Sequence, residues 1–222
     1  MTLATKERIV SRRQVTRDRY IRSTMPVFWV DLSKNDGSQF TSDDAYGHLA
    51  TVTGALWTPQ GRSFDRVDDF ISVGNPVSLQ LATTLTIGFW GKLNVLDASN
   101  QRGVSKEEAY ALTIRNTNLP SVQLGAGDPV VVQSPEAISI NTWYNFTFTY
   151  DGTTGIIYVN GINKNSAVVG YSPNQTNSVL LGKHSAGVEL WGGLIGEVFI
   201  YNRALSAGEI QHNYLATKWR FR

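Results

Sequence analysis

The chain contains no cysteine, so it has neither a disulfide framework nor a thiolate metal site. Only 17% of its 222 residues are charged, and no apolar run approaches the length of a membrane-spanning helix. A signal peptide is not expected, because Lys6, Glu7 and Arg8 come before any apolar segment could form. We therefore expect a protein that does not enter a membrane and is not conventionally secreted.

Catalytic patterns are also missing from the sequence. A retaining glycosidase needs two carboxylates about 5–5.5 Å apart, which positions i and i+2 of one strand would place on the same face. The acidic pairs are adjacent instead, at Asp43-Asp44, Asp68-Asp69 and Glu107-Glu108, so within a strand they would point to opposite faces. The three histidines are widely separated, and no glycine-rich phosphate loop is present. We therefore predict that the protein is not an enzyme.

The residues that are present indicate a β-rich domain with a substantial core. The chain has 20 glycines, 41% hydrophobic residues and 11% aromatic residues, a composition suited to short strands joined by tight turns. The clearest pattern runs from Tyr144 to Tyr150, where aromatic residues alternate with Asn and Thr. Asp151-Gly152 and Asn160-Gly161 follow as turn sequences. This stretch predicts a β-meander.

A helix is predicted only near the C-terminus. Ser206 and Glu209 have the spacing of a capping box, in which each side chain accepts a hydrogen bond from the other residue's backbone N–H. A helix of about 10 residues would follow, which is a typical length. With roughly 10 or more short strands before it, the leading fold class is a sandwich of two sheets.

Four segments in order resemble the laminin-G-like, or concanavalin A-like, jelly-roll family. They are an entry strand at Gly54–Trp57 and Ser63–Ile71, the next strand at Leu85–Trp90, a middle hairpin at Trp143–Gly161, and a closing strand and helix at Gly193–Ile210. The resemblance implies an all-β, two-sheet antiparallel jelly-roll sandwich with a short C-terminal helix. It covers residues 27–217 and nothing in residues 1–25.

The resemblance also bears on calcium. The family's closing strand commonly carries Asp where this chain has Gly196, and the family often has Gly where this chain has Arg66. Because Ca²⁺ takes 6–8 oxygen ligands, the loss of one carboxylate weakens the site, and we expect no cofactor. If calcium does bind, its ligands are expected among Asp43, Asp44, Asp68 and Asp69; the alternative is that these residues form turns.

A ligand site is predicted at Trp90 and Lys92, which share the more polar face of their strand. Exposed aromatic side chains can stack on sugars, and a neighbouring cation would suit such a face. The alternative is that Trp90 is covered, as large aromatic side chains usually are.

The N-terminal arm, residues 1–25, differs from the domain predicted for residues 26–222. It holds seven basic and two acidic residues, a net charge of +5, whereas the remainder holds 13 basic and 16 acidic residues. Three interpretations remain open: a solvated tail, a nucleic-acid-binding arm, or an arm that docks onto protein, either its own domain or an assembly. Apolar residues interleave with the arginines and favour protein. The docking residues would be Arg8, Arg12, Arg13, Arg17, Arg19 and Arg22.

The function predicted from these observations is structural or adhesive. The sandwich would dock through its arm onto other proteins of a larger assembly, in concrete form as a capsid decoration or tail protein of a phage or other virion. The alternative is a free carbohydrate-binding lectin module, with or without calcium. A glycoside hydrolase and a nucleic-acid-binding coat protein rank behind these two.

Overall fold

Two antiparallel sheets make up the computed structural model, which describes residues 26–96 and 99–222. The predicted arm, residues 1–25, lies outside the described residues. The strands are β1 Phe28–Asp31, β2 Gln39–Thr41, β3 Leu49–Thr53, β4 Leu56–Thr58, β5 Gly61–Asp65, β6 Phe70–Gly74, β7 Leu85–Leu93, β8 Gln101–Lys106, β9 Tyr110–Ile114, β10 Pro120–Leu124, β11 Val130–Gln133, β12 Tyr144–Tyr150, β13 Thr154–Val159, β14 Ile162–Val168, β15 Val179–Leu181 and β16 Gly192–Tyr201.

Sheet A has the strand order β14-β13-β12-β7-β16-β5-β4, and β1 also pairs with β16. The alternating segment Tyr144–Tyr150 forms β12 as predicted, between β13 and β7. Asn160 and Gly161 both have positive φ, 53° and 75°, as the predicted hairpin turn requires. The long strand β16 pairs with β7 along one edge. Along its other edge it pairs with both β1 and β5, at different positions.

Sheet B has the strand order β11-β10-β9-β8-β15-β6-β3-β2. Its inner face packs on sheet A through fully buried side chains such as Val104 and Val122, against Phe89 and Phe146 of sheet A. Full burial of one such side chain contributes about 1.5–3 kcal/mol. The two sheets approach closely at Gly103, where a Cβ would lie 2.0 Å from the Phe89 ring, so only glycine fits.

The C-terminal helix α1, Ala207–Thr217, begins with the predicted capping box between Ser206 and Glu209. It lies on the outer face of sheet A, where Leu205 and Ile210 pack with Tyr158 and Phe199. Two 3-10 helices, Val77–Leu79 and Lys218–Arg220, complete the described secondary structure. The predicted fold, an all-β two-sheet sandwich with a short C-terminal helix, is confirmed. No helix in the described ranges is long and apolar enough to cross a membrane.

Candidate binding site on the outer face of sheet B

The predicted ligand residue Trp90 is not available to a ligand. Its side chain is only 2% exposed, its Nε1 donates a hydrogen bond to Thr217 Oγ1 at 3.0 Å, and its ring stacks on Phe221 at 4.6 Å and Tyr214 at 5.7 Å. The prediction that Trp90 binds a sugar is therefore wrong, because the C-terminal segment covers this face of sheet A. Lys92 is half-buried with Nζ 5.4 Å from the Trp143 ring, and its ligand role stays a prediction.

The aspartates predicted as calcium ligands fall in two separate turns. In the β2–β3 turn, the Asp44 carboxylate accepts hydrogen bonds from the backbone N–H of Trp29 at 2.9 Å and of Tyr46 at 2.8 Å. The Asp43 carboxylate accepts one from Asp31 N–H at 3.1 Å, and burial raises the pKa of Asp43. The bond from Tyr46 is a local turn contact, and the other two join this turn to β1.

In the β5–β6 turn, Asp68 and Asp69 lie beside Asp65, with one carboxylate oxygen from each within 4.8 Å of the others. Asp65 Oδ1 also accepts from Val67 N–H at 2.8 Å, and Asp69 Oδ2 accepts from Asp65 N–H at 2.8 Å. These bonds use oxygens that an ion would need, and Ca²⁺ takes 6–8 of them. The calcium role of these aspartates stays a prediction.

Gly196 cannot be replaced by the family's acidic residue in this chain. A Cβ at this position would lie 2.2 Å from Phe221 Cε1 and 3.1 Å from the backbone oxygen of Gln60. The space that a carboxylate would occupy is therefore filled by the C-terminal segment. At the family's other glycine position, Arg66 adopts φ 68°, the left-handed region where glycine is favoured, and its Nη1 donates to Leu190 O at 2.9 Å.

A polar cluster centred on Arg102 lies on the outer face of sheet B, the side away from sheet A. The Arg102 side chain is 2% exposed. Its Nε donates to Glu189 Oε2 at 2.6 Å and its Nη2 donates to Asp128 Oδ2 at 2.9 Å. Nε and Nη2 lie on the same edge of the planar guanidinium. Two carboxylates from different loops, β15–β16 and β10–β11, are thereby held side by side.

The charge state of Glu189 follows from its contacts. Burial alone would raise the pKa of Glu189, but hydrogen bonds from Asn100 and Arg102 outweigh it and hold the pKa below its usual value. The Asn100 amide donates to Glu189 Oε1 at 2.7 Å, so both carboxylate oxygens are bonded. Glu189 is therefore ionised at neutral pH and fixed in position.

His184 completes the cluster between two carboxylates. Its Nε2 lies 3.4 Å from Glu107 Oε1 and 3.5 Å from Asp128 Oδ2, which are distances that a metal ion could bridge. However, His184 Nδ1 accepts a hydrogen bond from Ala186 N–H at 3.0 Å, so the neutral ring carries its proton on Nε2. With its proton on Nε2, the ring faces the Glu107 and Asp128 carboxylates, and the three side chains form one compact polar group.

An aromatic side chain lies near the cluster. Lys183, the neighbour of His184 in sequence, places Nζ 4.1 Å from the centre of the Phe70 ring, within the range of a cation–π contact. Phe70 and Lys183 are both half-buried. The outer face therefore combines charged groups, amides and an aromatic ring.

Sequence reasoning missed this cluster because its members come from separate loops. In the sequence, Glu107 is recognisable only as half of an adjacent acidic pair and His184 only as one of three isolated histidines. Asp128 and Glu189 meet solely because β8 lies between the two loops that carry them. No local spacing in the sequence signals that meeting.

The fold is an antiparallel sandwich of two eight-stranded sheets. The chain matches a laminin G model of the concanavalin A-like lectin/glucanases superfamily over residues 65–211. It therefore belongs to this superfamily, which confirms the resemblance seen in its motifs. Among curated proteins, none matches the sequence.

Solved structures with the same fold include enzymes and binding domains. A Trypanosoma rangeli sialidase with the inhibitor DANA has TM-score 0.70 and 14% identity over 99% of this chain and 40% of its own. The same organism's sialidase with 2,3-difluorosialic acid has TM-score 0.68 and 18% identity, over 89% of this chain and 33% of its own. The binding domain of Paraclostridial Mosquitocidal Protein 1 has TM-score 0.67 and 14% identity, over 85% of this chain and 51% of its own. The chain thus spans a third to a half of these structures, and at such identities the likeness shows the fold alone.

These neighbours contradict the prediction that the protein is not an enzyme. Sialidase structures contain a region of this fold, so the fold is compatible with enzymes. Carboxylates can also be paired from different loops, which spacing along one strand does not reveal. The structure pairs Asp128 and Glu189 through a third residue instead.

Proposed function

We propose that this chain is a carbohydrate-recognition module and that its ligand binds at the Arg102 cluster. The observation that carries the proposal is the Nη1 atom of Arg102, which is buried and has no hydrogen-bond partner among the described residues. An unpaired buried donor costs about 1–3 kcal/mol, and such groups in native structures call for an explanation. A ligand oxygen would satisfy this donor.

The residues around Arg102 suit sugar hydroxyl groups. The side chains of Glu107, Asp128, His184 and Glu189 are 14–24% exposed, so each can be reached from solvent. Their carboxylates accept hydrogen bonds from hydroxyl groups, while the guanidinium donates to ring or hydroxyl oxygens. Arg102 contacts Asp128 and Glu189, and Glu107 lies beside His184. These three carboxylates outnumber the two cations, Arg102 and the neighbouring Lys183, so negative charge is in excess and an anionic sugar would be repelled. We infer that the ligands are neutral glycans.

Binding to an array of neutral and sialylated glycans tests this proposal. The full chain is expected to bind neutral glycans, and Asp128→Asn is expected to weaken binding at least tenfold because it removes a charged acceptor. Asp36→Asn is the matched control, since Asp36 is exposed on the β1–β2 turn and loses the same charge. Absence of binding to any neutral glycan, or equal binding by Asp128→Asn, would refute the site.

A second candidate function is glycoside hydrolysis at the same cluster. Two carboxylates on one guanidinium edge are the observation that favours it, because such enzymes act through a carboxylate pair. Glu189, with its lowered pKa, suits the ionised role in the pair. Release of reducing sugar from a polysaccharide panel, abolished by Glu189→Gln, would support hydrolysis. Glycan binding without release of reducing sugar would support recognition and contradict hydrolysis.

The predicted docking of residues 1–25 onto a virion or other assembly is tested by none of the described residues and stays a prediction. Its support is the charge of the arm, +5 in 25 residues. Replacing the six arm arginines by Gln in the full chain should prevent co-sedimentation with the particle from which the protein is isolated. Unchanged co-sedimentation would refute the docking role.

A further inference from the structure

A serine, a histidine and an aspartate meet where the β2–β3 turn contacts the 3-10 helix Val77–Leu79. His48 immediately precedes β3 and is 8% exposed. Its Nε2 lies 2.6 Å from Ser78 Oγ, and its Nδ1 lies 3.5 Å from Asp44 Oδ1. The imidazole therefore has a hydroxyl group at one ring nitrogen and a carboxylate at the other.

The contacts of Asp44 decide which ring nitrogen of His48 carries the proton. The Asp44 side chain is 1% exposed, and its carboxylate accepts from the backbone N–H of Trp29 and of Tyr46, so its oxygens are held in place. Because a carboxylate only accepts hydrogen bonds, the ring nitrogen that faces it carries the proton. In the neutral ring Nδ1 is therefore the donor, and Nε2 accepts from the hydroxyl group of Ser78.

Further contacts hold His48 in this orientation. Its backbone N–H donates to Ser42 Oγ at 2.7 Å, and the same hydroxyl group lies 3.3 Å from Nδ1. The rings of Tyr46 and Phe28 flank the imidazole, with centres 5.4 Å and 5.9 Å away. A general base must lie within hydrogen-bond reach of the proton that it removes, and these contacts keep Nε2 within reach of Ser78.

The hydroxyl group of this trio lies nearer to solvent than the imidazole. Ser78 is half-buried, whereas His48 is buried. Val77, the neighbour of Ser78 in sequence, is 82% exposed, and Tyr46, whose ring stacks on His48, is 59% exposed. Two exposed apolar side chains beside a hydroxyl group offer contact to the acyl part of an ester.

We propose that Ser78 is a nucleophile that cleaves small carboxylic esters, with His48 as its general base and Asp44 as the residue that positions the imidazole. The arrangement meets the requirement for an activated serine, in which the nucleophile is hydrogen-bonded to a base that a third group orients. It shares no residue with the Arg102 cluster, so the inference stands without the proposed function.

The reaction needs only the ester and water. Ser78 Oγ bonds to the carbonyl carbon of the ester while His48 Nε2 takes the hydroxyl proton. The bond from the carbonyl carbon to the alcohol oxygen then breaks, and Nε2 gives its proton to the departing alcohol, which leaves the acyl group on Ser78. Water that loses a proton to His48 attacks this acyl group, and the carboxylic acid leaves as Ser78 regains its proton.

Reaction of the full chain with p-nitrophenyl acetate tests the proposal, with p-nitrophenol followed by absorbance and the acetylated residue located by peptide mass mapping. The natural chain is expected to be acetylated at Ser78, and Ser78→Ala is expected to lose that label. His48→Gln should slow acetylation of Ser78 by about 100-fold or more, the scale of general-base catalysis. Ser33→Ala is the matched control and should react as the natural chain does. Ser33 is also half-buried, but its hydroxyl group donates directly to Asp31 at 2.7 Å, without a histidine between them.

Nitrogen NMR of the isotope-labelled His48 ring tests the positioning role of Asp44, because the chemical shifts of the two ring nitrogens distinguish the two tautomers. The natural chain is expected to show the proton on Nδ1. In Asp44→Asn, whose amide can donate to Nδ1, the proton should move to Nε2 and acetylation of Ser78 should slow by about tenfold or more. Asp43→Asn is the matched control in the same turn and should change neither quantity. An unchanged tautomer in Asp44→Asn would contradict the positioning role.

Two results would overturn the proposal as a whole. One is a natural chain that is not acetylated at Ser78, and the other is acetylation at the natural rate in a folded His48→Gln chain. If circular dichroism shows that His48→Gln does not fold, Ser78→Cys replaces it, because the chain has no cysteine of its own. A thiol beside His48 should react with iodoacetamide about tenfold or more faster than the thiol of Ser33→Cys, and equal rates would overturn the proposal.

Discussion

Arg102→Met provides a strong test of the cluster, because it removes the cation and keeps a side chain of similar length. Two carboxylates, Asp128 and Glu189, would then be left without their partner. Removal of one partner from a buried ion pair costs about 3–5 kcal/mol. Since these carboxylates are 14% and 20% exposed, we expect the lower end, about 3 kcal/mol. For a domain of this size that corresponds to a fall in Tm of roughly 6–12 °C.

The loss of stability caused by Arg102→Met should depend on pH in a defined direction. The pKa of Glu189 is held below its usual value in the folded chain, so its pairing stabilises the fold above the usual carboxyl pKa and is lost as the pH falls through the lowered value. In Arg102→Met the same carboxylate is desolvated without a cation, so its pKa should rise above the usual value. The difference in stability between the two chains should therefore shrink between pH 7 and pH 3.5.

Urea unfolding followed by tryptophan fluorescence, at pH 7 and at pH 3.5, measures both quantities. Arg203→Met is the matched control, because Arg203 pairs with Glu209 at 2.6 Å but the two side chains are 41% and 32% exposed. Exposed pairs contribute about 0–1 kcal/mol. The reasoning is refuted if Arg102→Met costs no more than Arg203→Met, or if its cost is the same at both pH values.

Three further substitutions test the fold that positions the site. Ser206→Ala removes the cap of α1 and should lower the free energy of unfolding by about 1 kcal/mol, measured by thermal melting; no change would contradict the capping box. Gly103→Ala places a methyl group 2.0 Å from the Phe89 ring and should cost about 1–3 kcal/mol in urea unfolding, whereas Gly170→Ala, with no atom within 4 Å of the new Cβ, should cost under about 0.5 kcal/mol. Arg66→Val forces a β-branched residue to φ 68° and should melt below Arg66→Gly, since each loses the bond to Leu190; the reverse order would argue against strain at this position.

The sequence predicted the parts of the fold that local pattern specifies. The alternation in Tyr144–Tyr150 fixes which side chains of β12 face the core, since the period of a strand is two residues. The capping box at Ser206 marks the start of α1 through bonds made within four residues. Neither prediction needed knowledge of what lies across the sheet.

Contacts between segments that are distant in sequence could not be predicted for the candidate site. Trp90 was placed correctly on the outer face of its strand, but only the folded chain shows that Phe221 and Tyr214 cover it. Asp43 and Asp44 were recognised as turn residues or metal ligands, and their bonds to Trp29 and Asp31 depend on where β1 lies. Composition cannot tell a covered face from an open one.

The sequence by itself determined the fold class, the superfamily and the contrast between a basic arm and a mildly acidic domain, because these follow from periodicity, local turn chemistry and net charge. The tertiary structure alone decided the candidate site. Arg102 meets Asp128 and Glu189 because the β10–β11 and β15–β16 loops end on either side of β8. A hydrogen bond is specified by the distance between its atoms in space, and the order of residues in the chain does not contain that distance.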